Sequence, residues 1–195
     1  PLHDLIAANR MDQQVATYPT YGALLEYCRL SANPVGRLVL GVFGAATPER
    51  TALSDSVCSG LQLAEHWQDV AEDAAAGRVY IPVEDMERFG VAVSDLTGPT
   101  SGPGGARLRA LLAFEATRAR RLLDAGDTLV RSLGGWARVA VAGYVAGGRA
   151  ALDALAAAGF DPRPGTPRPR PARTAAHAAS LLWGRRGRPG GKEPG

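Results

Sequence analysis

Along most of this chain apolar residues recur at helical spacing, and almost nowhere do they alternate as in a half-buried strand. Leu2, Leu5 and Ile6 open a segment that reads as helix through residue 16, with Asp12 near its end. The turn Tyr18-Pro19-Thr20-Tyr21-Gly22 follows, and Thr20 is placed to cap a helix over residues 23–32. Pro34 removes a backbone donor, so a kink or break is expected there before the apolar run 35–45. Pro48-Glu49-Arg50-Thr51 is a good helix start, and the helix it opens is expected to continue to about residue 76. An extended exit at residues 77–82 comes next, because Pro82 biases Ile81 away from helix.

A short helix is expected over residues 84–89 and a flexible loop over 97–105, which has four Gly and two Pro. Residues 107–133 read as a long amphipathic helix with Leu108, Leu111, Leu112, Leu122 and Leu123 inward, and with Arg118, Arg120 and Arg121 on a solvated face. Residues 136–158 form an apolar, Ala-rich core helix. The Pro/Arg-rich stretch 161–171 should be extended, 174–183 a last short helix, and 184–195 disordered. The pattern is that of an all-α protein, with one helical domain over residues 1–160 and a basic tail over 161–195.

Composition agrees with one well-cored domain: 195 residues, 46% hydrophobic, with Ala prominent over β-branched residues. The net charge of +3 hides an asymmetry, since residues 161–195 hold eight cations against Asp161 and Glu193 and the first 160 therefore sum to −3. A general nucleic-acid surface is not indicated. Cys28 and Cys58 lie in expected helices without ligand spacing and fit reduced thiols in a cytosolic protein. The longest apolar run, 139–148, is shorter than the ~20 residues that span a bilayer. The opening at Pro1, directly in helix-like sequence, suggests a fragment whose start is missing.

Candidate chemistry concentrates between residues 61 and 82. Glu65, Asp69 and Asp73 stand four apart, with Gln62 three before Glu65, which on one continuous helix puts them on one face. Three carboxylates without an interleaved Lys or Arg repel unless a cation joins them, and hard oxygens in a row suit Mg²⁺ completed by substrate phosphates. A solvated acidic face is the bland alternative. Arg78 and Tyr80 follow directly, and a guanidinium fork suits a diphosphate, although a salt bridge to Asp73 or Glu72 would also account for Arg78.

Three ordered stretches carry a family resemblance: Tyr27-Cys28-Arg29-Leu30-Ser31-Ala32-Asn33-Pro34-Val35-Gly36-Arg37, then Leu61 to Ala64 leading to Gln68-Asp69-Val70-Ala71-Glu72-Asp73, then Gly77-Arg78-Val79-Tyr80-Ile81-Pro82. Together they resemble the squalene/phytoene synthase family, and the Ser-Ala-Asn-Pro-Val-Gly-Arg form resembles its hopanoid-pathway hydroxysqualene synthase branch. The resemblance implies an all-α isoprenoid synthase bundle around a central cavity, with prenyl diphosphate as substrate and Mg²⁺ as cofactor. It implies metal ligation by Asp69 and Asp73, with Glu65 beside them, and substrate contacts by Ser31, Ala32, Gly36, Gln62 and Gln68. It gives Tyr27, Tyr80 and Arg78 catalytic roles at the diphosphate side.

The activity expected is conversion of presqualene diphosphate to hydroxysqualene. The alternatives are a squalene or phytoene synthase, the former needing NADPH, and a non-catalytic helical partner of such an enzyme. Glu65-His66 departs from the family's usual Asn-Phe, and the family's first Asp-rich motif is absent, so the chain alone is expected to be inactive. A cytoplasmic location with peripheral contact at the membrane's inner face is expected from the greasy product.

Overall fold

A computed structural model of the chain describes residues 1–184. The disorder expected for 184–195 falls outside the described residues except at Gly184. Ten helices make up the described part: α1 (Leu2–Asp12), α2 (Tyr21–Ser31), α3 (Asn33–Val42), α4 (Pro48–Gln68), α5 (Val70–Ala75), α6 (Val83–Phe89), α7 (Val93–Thr97), α8 (Gly102–Ser132), α9 (Gly135–Ala157) and α10 (Pro171–Trp183). The only strand-like pairing among them is an isolated parallel bridge between Thr17 and Val79. The all-α expectation holds.

Local chemistry sets most boundaries. Thr20 caps α2 by accepting from the Ala23 amide at 3.1 Å, and Thr47 caps α4 through Arg50. The break at Pro34 is narrow, with Ala32 alone separating α2 from α3. The buried Asn33 ties the break to α4 by accepting from Ser59 Oγ at 3.0 Å, and Arg37 clasps Asp55 through two nitrogens.

α4 is the central element, packed on α3, α8 and α9. Its inward Leu63 and Trp67 are fully buried, and each such side chain contributes about 1.5–3 kcal/mol by leaving water. Gly60 lets α4 lie against α8, since a Cβ there would press on Leu122, Leu123 and the Ala119 carbonyl. Helix α9 is long and apolar enough to cross a bilayer by length and composition, although its longest unbroken apolar run is shorter; half of that stretch is buried in the bundle.

Four expectations need correction. The helix beginning at Pro48 does not run unbroken to residue 76: it ends at Gln68, Asp69 leaves helical geometry at φ −102°, ψ 10°, and α5 resumes at Val70. The loop expected over 97–105 is mostly helix, because α8 begins at Gly102 and α7 precedes it. Arg118 is not on a solvated face. It stacks over Tyr21 and Phe114 at 4.2 and 4.4 Å and pairs with Asp85 at 2.5 Å and Glu115 at 3.2 Å. Arg120 likewise pairs with Asp153 at 2.7 Å.

Residues 161–183 pack on the bundle. Asp161 and Arg163 are buried together at 2.6 Å, His177 meets Asp153 at 2.8 Å, and Arg138 donates to the Leu182 carbonyl.

Candidate active site

Two features share α4. The first is an apolar cavity of about 130 Å³ between α3, α4, α8 and α9, lined among others by Val39, Val57, Cys58, Leu61, Val141 and Tyr144. Gly36 faces it from the bent segment. A Cβ at that position would collide with Cys58 Sγ and Ser54 Oγ, so glycine is what lets α3 approach α4 so closely. The lining residues Ser54, Val57, Cys58 and Leu61 recur at helical spacing, and Glu65 continues that face one turn further.

The second feature lies beyond that turn. Tyr18, Tyr27 and Tyr80 pack with ring centroids 5.4–5.8 Å apart, and His66 stacks on Tyr80 at 3.7 Å. All four are buried. Their arrangement is fixed by the exit segment, which docks on the turn before α2. The Val79 amide donates to the Ala16 carbonyl, and the Val83 amide to the Tyr18 carbonyl.

Around the rings stand polar groups. Gln62 Nε2 is 3.1 Å from His66 Nε2, and Asp73 Oδ2 is 3.8 Å from His66 Nδ1. Asp12 Oδ1 and the Tyr18 hydroxyl are buried without a hydrogen-bond partner. Burial, then the Asp12 carboxylate and Tyr80, push the Tyr27 phenol above the usual tyrosine range. It therefore stays neutral and able to donate. Arg78 is exposed at the rim, where the Tyr80 oxygen beside it holds the guanidinium more firmly charged. It forms no ion pair with Asp73 or Glu72.

The carboxylates do not share one helical face as expected, because the backbone leaves the helix at Asp69. Asp73 turns to His66, whereas Asp69 accepts from Thr166 Oγ1 at 3.4 Å and Glu72 from the same hydroxyl at 2.8 Å. Glu65 is exposed. Among the described residues no group of three His, Cys, Asp or Glu side chains is arranged to hold a metal. Burial, then Glu72 and Asp73, raise the Asp69 carboxyl above its ordinary value, the response of an anion crowded by anions. That donor set fits Mg²⁺ in its usual mode, with one or two carboxylates and the remaining ligands from substrate and water, and not as an all-protein cage.

Of the other expected contacts, Gln68 is turned away from the cavity. Its amide donates to the Pro167 carbonyl, and it is not among the residues that line the cavity. The Ser31 hydroxyl donates to the Tyr27 carbonyl at 3.0 Å and serves the helix. Ala32 is the hinge residue itself. Sequence reasoning passed over Asp12, Tyr18, His66 and Thr166. In the sequence Tyr18 reads only as part of a turn, and Thr166 reaches the site from nearly a hundred positions away.

The squalene/phytoene synthase family model matches residues 1–175. The chain belongs to the squalene/phytoene synthase family. It is 38% identical over 131 residues to a hydroxysqualene synthase of Rhodopseudomonas palustris, a stretch covering 67% of this chain and 44% of that protein. It is 33% identical over 147 residues to a 15-cis-phytoene synthase of Synechocystis, covering 68% of this chain and 42% of that one. Among solved structures, squalene synthase HpnC from Alicyclobacillus acidocaldarius superposes with a TM-score of 0.77 at 41% identity, over 83% of this chain and 60% of that one. A dehydrosqualene synthase in complex with ligand superposes at 0.81 but is 24% identical, a likeness of fold. The chain thus spans less than half the length of these curated relatives. The isoprenoid synthase fold and membership in a family of enzymes stand on these matches.

Proposed function

We propose that this chain supplies the apolar cavity and one diphosphate-binding side of a Mg²⁺-dependent enzyme that converts presqualene diphosphate to hydroxysqualene. The observation that carries this is the alignment along α4 of an apolar cavity with a site of carboxylates, neutral phenols and a free-standing guanidinium just beyond it. A greasy chain and a charged head group require those two environments in that order. The Ser-Ala-Asn-Pro-Val-Gly-Arg stretch at the α2–α3 bend and the likeness to hydroxysqualene synthases support the branch.

Asp69 and Asp73 would hold Mg²⁺, with Glu65 four residues earlier on α4 as a further oxygen donor. A divalent cation there supplies Lewis acidity, which neutralises charge on a departing diphosphate. The chain's own groups do the rest. Arg78 binds diphosphate oxygens with its fork from the open rim. The Tyr27 and Tyr80 hydroxyls donate hydrogen bonds toward the same side. The cavity keeps water from an allylic or cyclopropylcarbinyl cation, and the aromatic rings beside it favour positive charge.

The test is calorimetry of inorganic pyrophosphate with this chain, with and without Mg²⁺. Binding should need the cation and weaken on the order of tenfold in Asp69→Asn and in Arg78→Ala, the loss of one charge-assisted contact. Binding that ignores Mg²⁺, or that both variants leave unchanged, overturns the proposal. Product analysis of presqualene diphosphate turnover, with and without NADPH, then separates hydroxysqualene from squalene chemistry.

A further inference from the structure

The connection between α9 and α10 and the last turns of α9 together enclose a recess of about 330 Å³. Ala150, Ala154 and Ala157, at helical spacing on α9, form its floor. Arg168 and Arg170 line it from the connection, and Arg173 from the first turn of α10. The backbone that carries these arginines is held in place. The Gln68 amide donates to the Pro167 carbonyl, Thr166 meets Asp69 and Glu72, and His177 ties α10 to Asp153 on α9. Pro167, Pro169 and Pro171 fix φ on alternate residues, and Arg170 takes φ −81°, ψ 130°, close to polyproline II. The three guanidinium groups therefore hang on a backbone with little freedom left to lose on binding.

Charges within the described chain do not answer them. Arg163 is locked by Asp161 at 2.6 Å, whereas among the described residues no carboxylate or carbonyl meets the exposed side chains of Arg168, Arg170 and Arg173. Residues 162–184 contain no acid. Asp153, the carboxylate that lines the recess, already accepts from Arg120 at 2.7 Å and meets His177 at 2.8 Å. Capping of α9 does not account for the arginines either, because its last carbonyls accept from the Ala158, Gly159 and Phe160 amides. Arg170 and Arg173 moreover take the N-cap and third positions of α10, where the helix dipole disfavours cations and no acid stands in the first turn. Cations gathered against local preference mark a site that an outside anion completes.

Spacing selects the anion. Arg168 and Arg170 are about 6 Å apart along this proline-locked stretch, close to the ~6.6 Å between alternate residues of an extended peptide. The prolines remove every second amide donor, so a partner strand cannot pair with the segment and the guanidinium forks must do the recognising. None of the residues lining the recess is an aromatic that would stack a base, and the net −3 of residues 1–160 repels a long nucleic acid. We propose that Arg168, Arg170 and Arg173 form a docking site for an extended acidic segment of a partner protein. Its alternate carboxylates meet the arginines, and its intervening apolar side chains lie over the alanine floor. The inference goes beyond the proposed reaction and does not rest on it, and its test contains neither diphosphate nor Mg²⁺.

The experiment is fluorescence anisotropy of a labelled octapeptide alternating aspartate and valine, titrated with the 195-residue chain. The peptide should bind, and added salt should weaken it. Arg168→Gln, Arg170→Gln and Arg173→Gln should each lower affinity on the order of tenfold, the loss of one charge-assisted pair. Arg121→Gln removes an exposed cation from α8 and should leave affinity unchanged. All four positions are exposed, and far-UV circular dichroism checks that the variants fold. A peptide of the same composition with its aspartates in one block, and an oligothymidylate of equal charge, should bind more weakly than the alternating peptide. Four results would overturn the proposal: no binding at low salt, affinity that the three variants leave intact, an equal loss in Arg121→Gln, or equal affinity for the block peptide or the oligothymidylate.

Discussion

The imidazole of His66 lies flat on the ring of Tyr80, with centroids 3.7 Å apart and planes 15° from parallel. This stack joins the last turn of α4 to the extended exit that carries Arg78, so it locates the guanidinium relative to the carboxylates. His66→Ala removes the stack and leaves Gln62 without its partner, and should cost about 1–3 kcal/mol in urea unfolding. His66→Phe keeps the flat face and should stay within about 1.5 kcal/mol of the parent. Hydrogen exchange at the Val79 amide, which bonds the Ala16 carbonyl, should quicken in the Ala variant and not in the Phe variant.

Gly36 is a contact of closeness. Its φ is not in the left-handed region, so a side chain is refused here by space and not by the backbone. Gly36→Ala would drive a methyl into Ser54 Oγ and Cys58 Sγ, and the expected loss is about 1–3 kcal/mol, more than the gain in helix propensity returns. Adding Ser54→Ala clears one of the two obstacles. The double variant should therefore recover part of the loss, and a double-mutant cycle of thermal melts measures the coupling.

These residues also show where the sequence was readable. The break at Pro34 and the cap at Thr20 act through the backbone beside them, so composition reveals them. The break at Asp69 does not. Residues 61–73 contain no Gly or Pro and read as one helix, yet the structure leaves helix there, where Gln68 and Asp69 are held by Pro167 and Thr166. Arg118 misled for the same reason: its partners Asp85 and Tyr21 come from other helices, and no local pattern announces them. The aromatic cluster was half legible, because Tyr27 and Tyr80 sit in family motifs while Tyr18 and Asp12 lie in a turn and a helix end.

Glu115 is fully buried with one oxygen unpartnered, and burial pushes its carboxyl up to about 8 despite the opposing Arg118. The folded chain therefore prefers this acid protonated, whereas the unfolded chain ionises it in the ordinary carboxylate range. Its favourable contribution is complete at low pH and is lost as pH rises through about 8. Glu115→Gln mimics the protonated acid at every pH. Urea midpoints measured from pH 5 to pH 9 should fall with pH in the parent and fall less in the variant. Equal slopes would show that Asp85 and Arg118 absorb the charge.

Thr166 holds two carboxylates on consecutive turns with a single hydroxyl, at 3.4 Å from Asp69 and 2.8 Å from Glu72. One proton cannot serve both fully, so the hydroxyl eases the crowding of Asp69 without removing it. Thr166→Val keeps the shape and deletes the donor, and the expected cost is about 1 kcal/mol in urea unfolding. The Asp69 carboxyl, no longer aided by that hydrogen bond, should titrate at higher pH than in the parent, visible in its carbonyl-carbon resonance. An unchanged titration would mean that the hydroxyl donates only to Glu72.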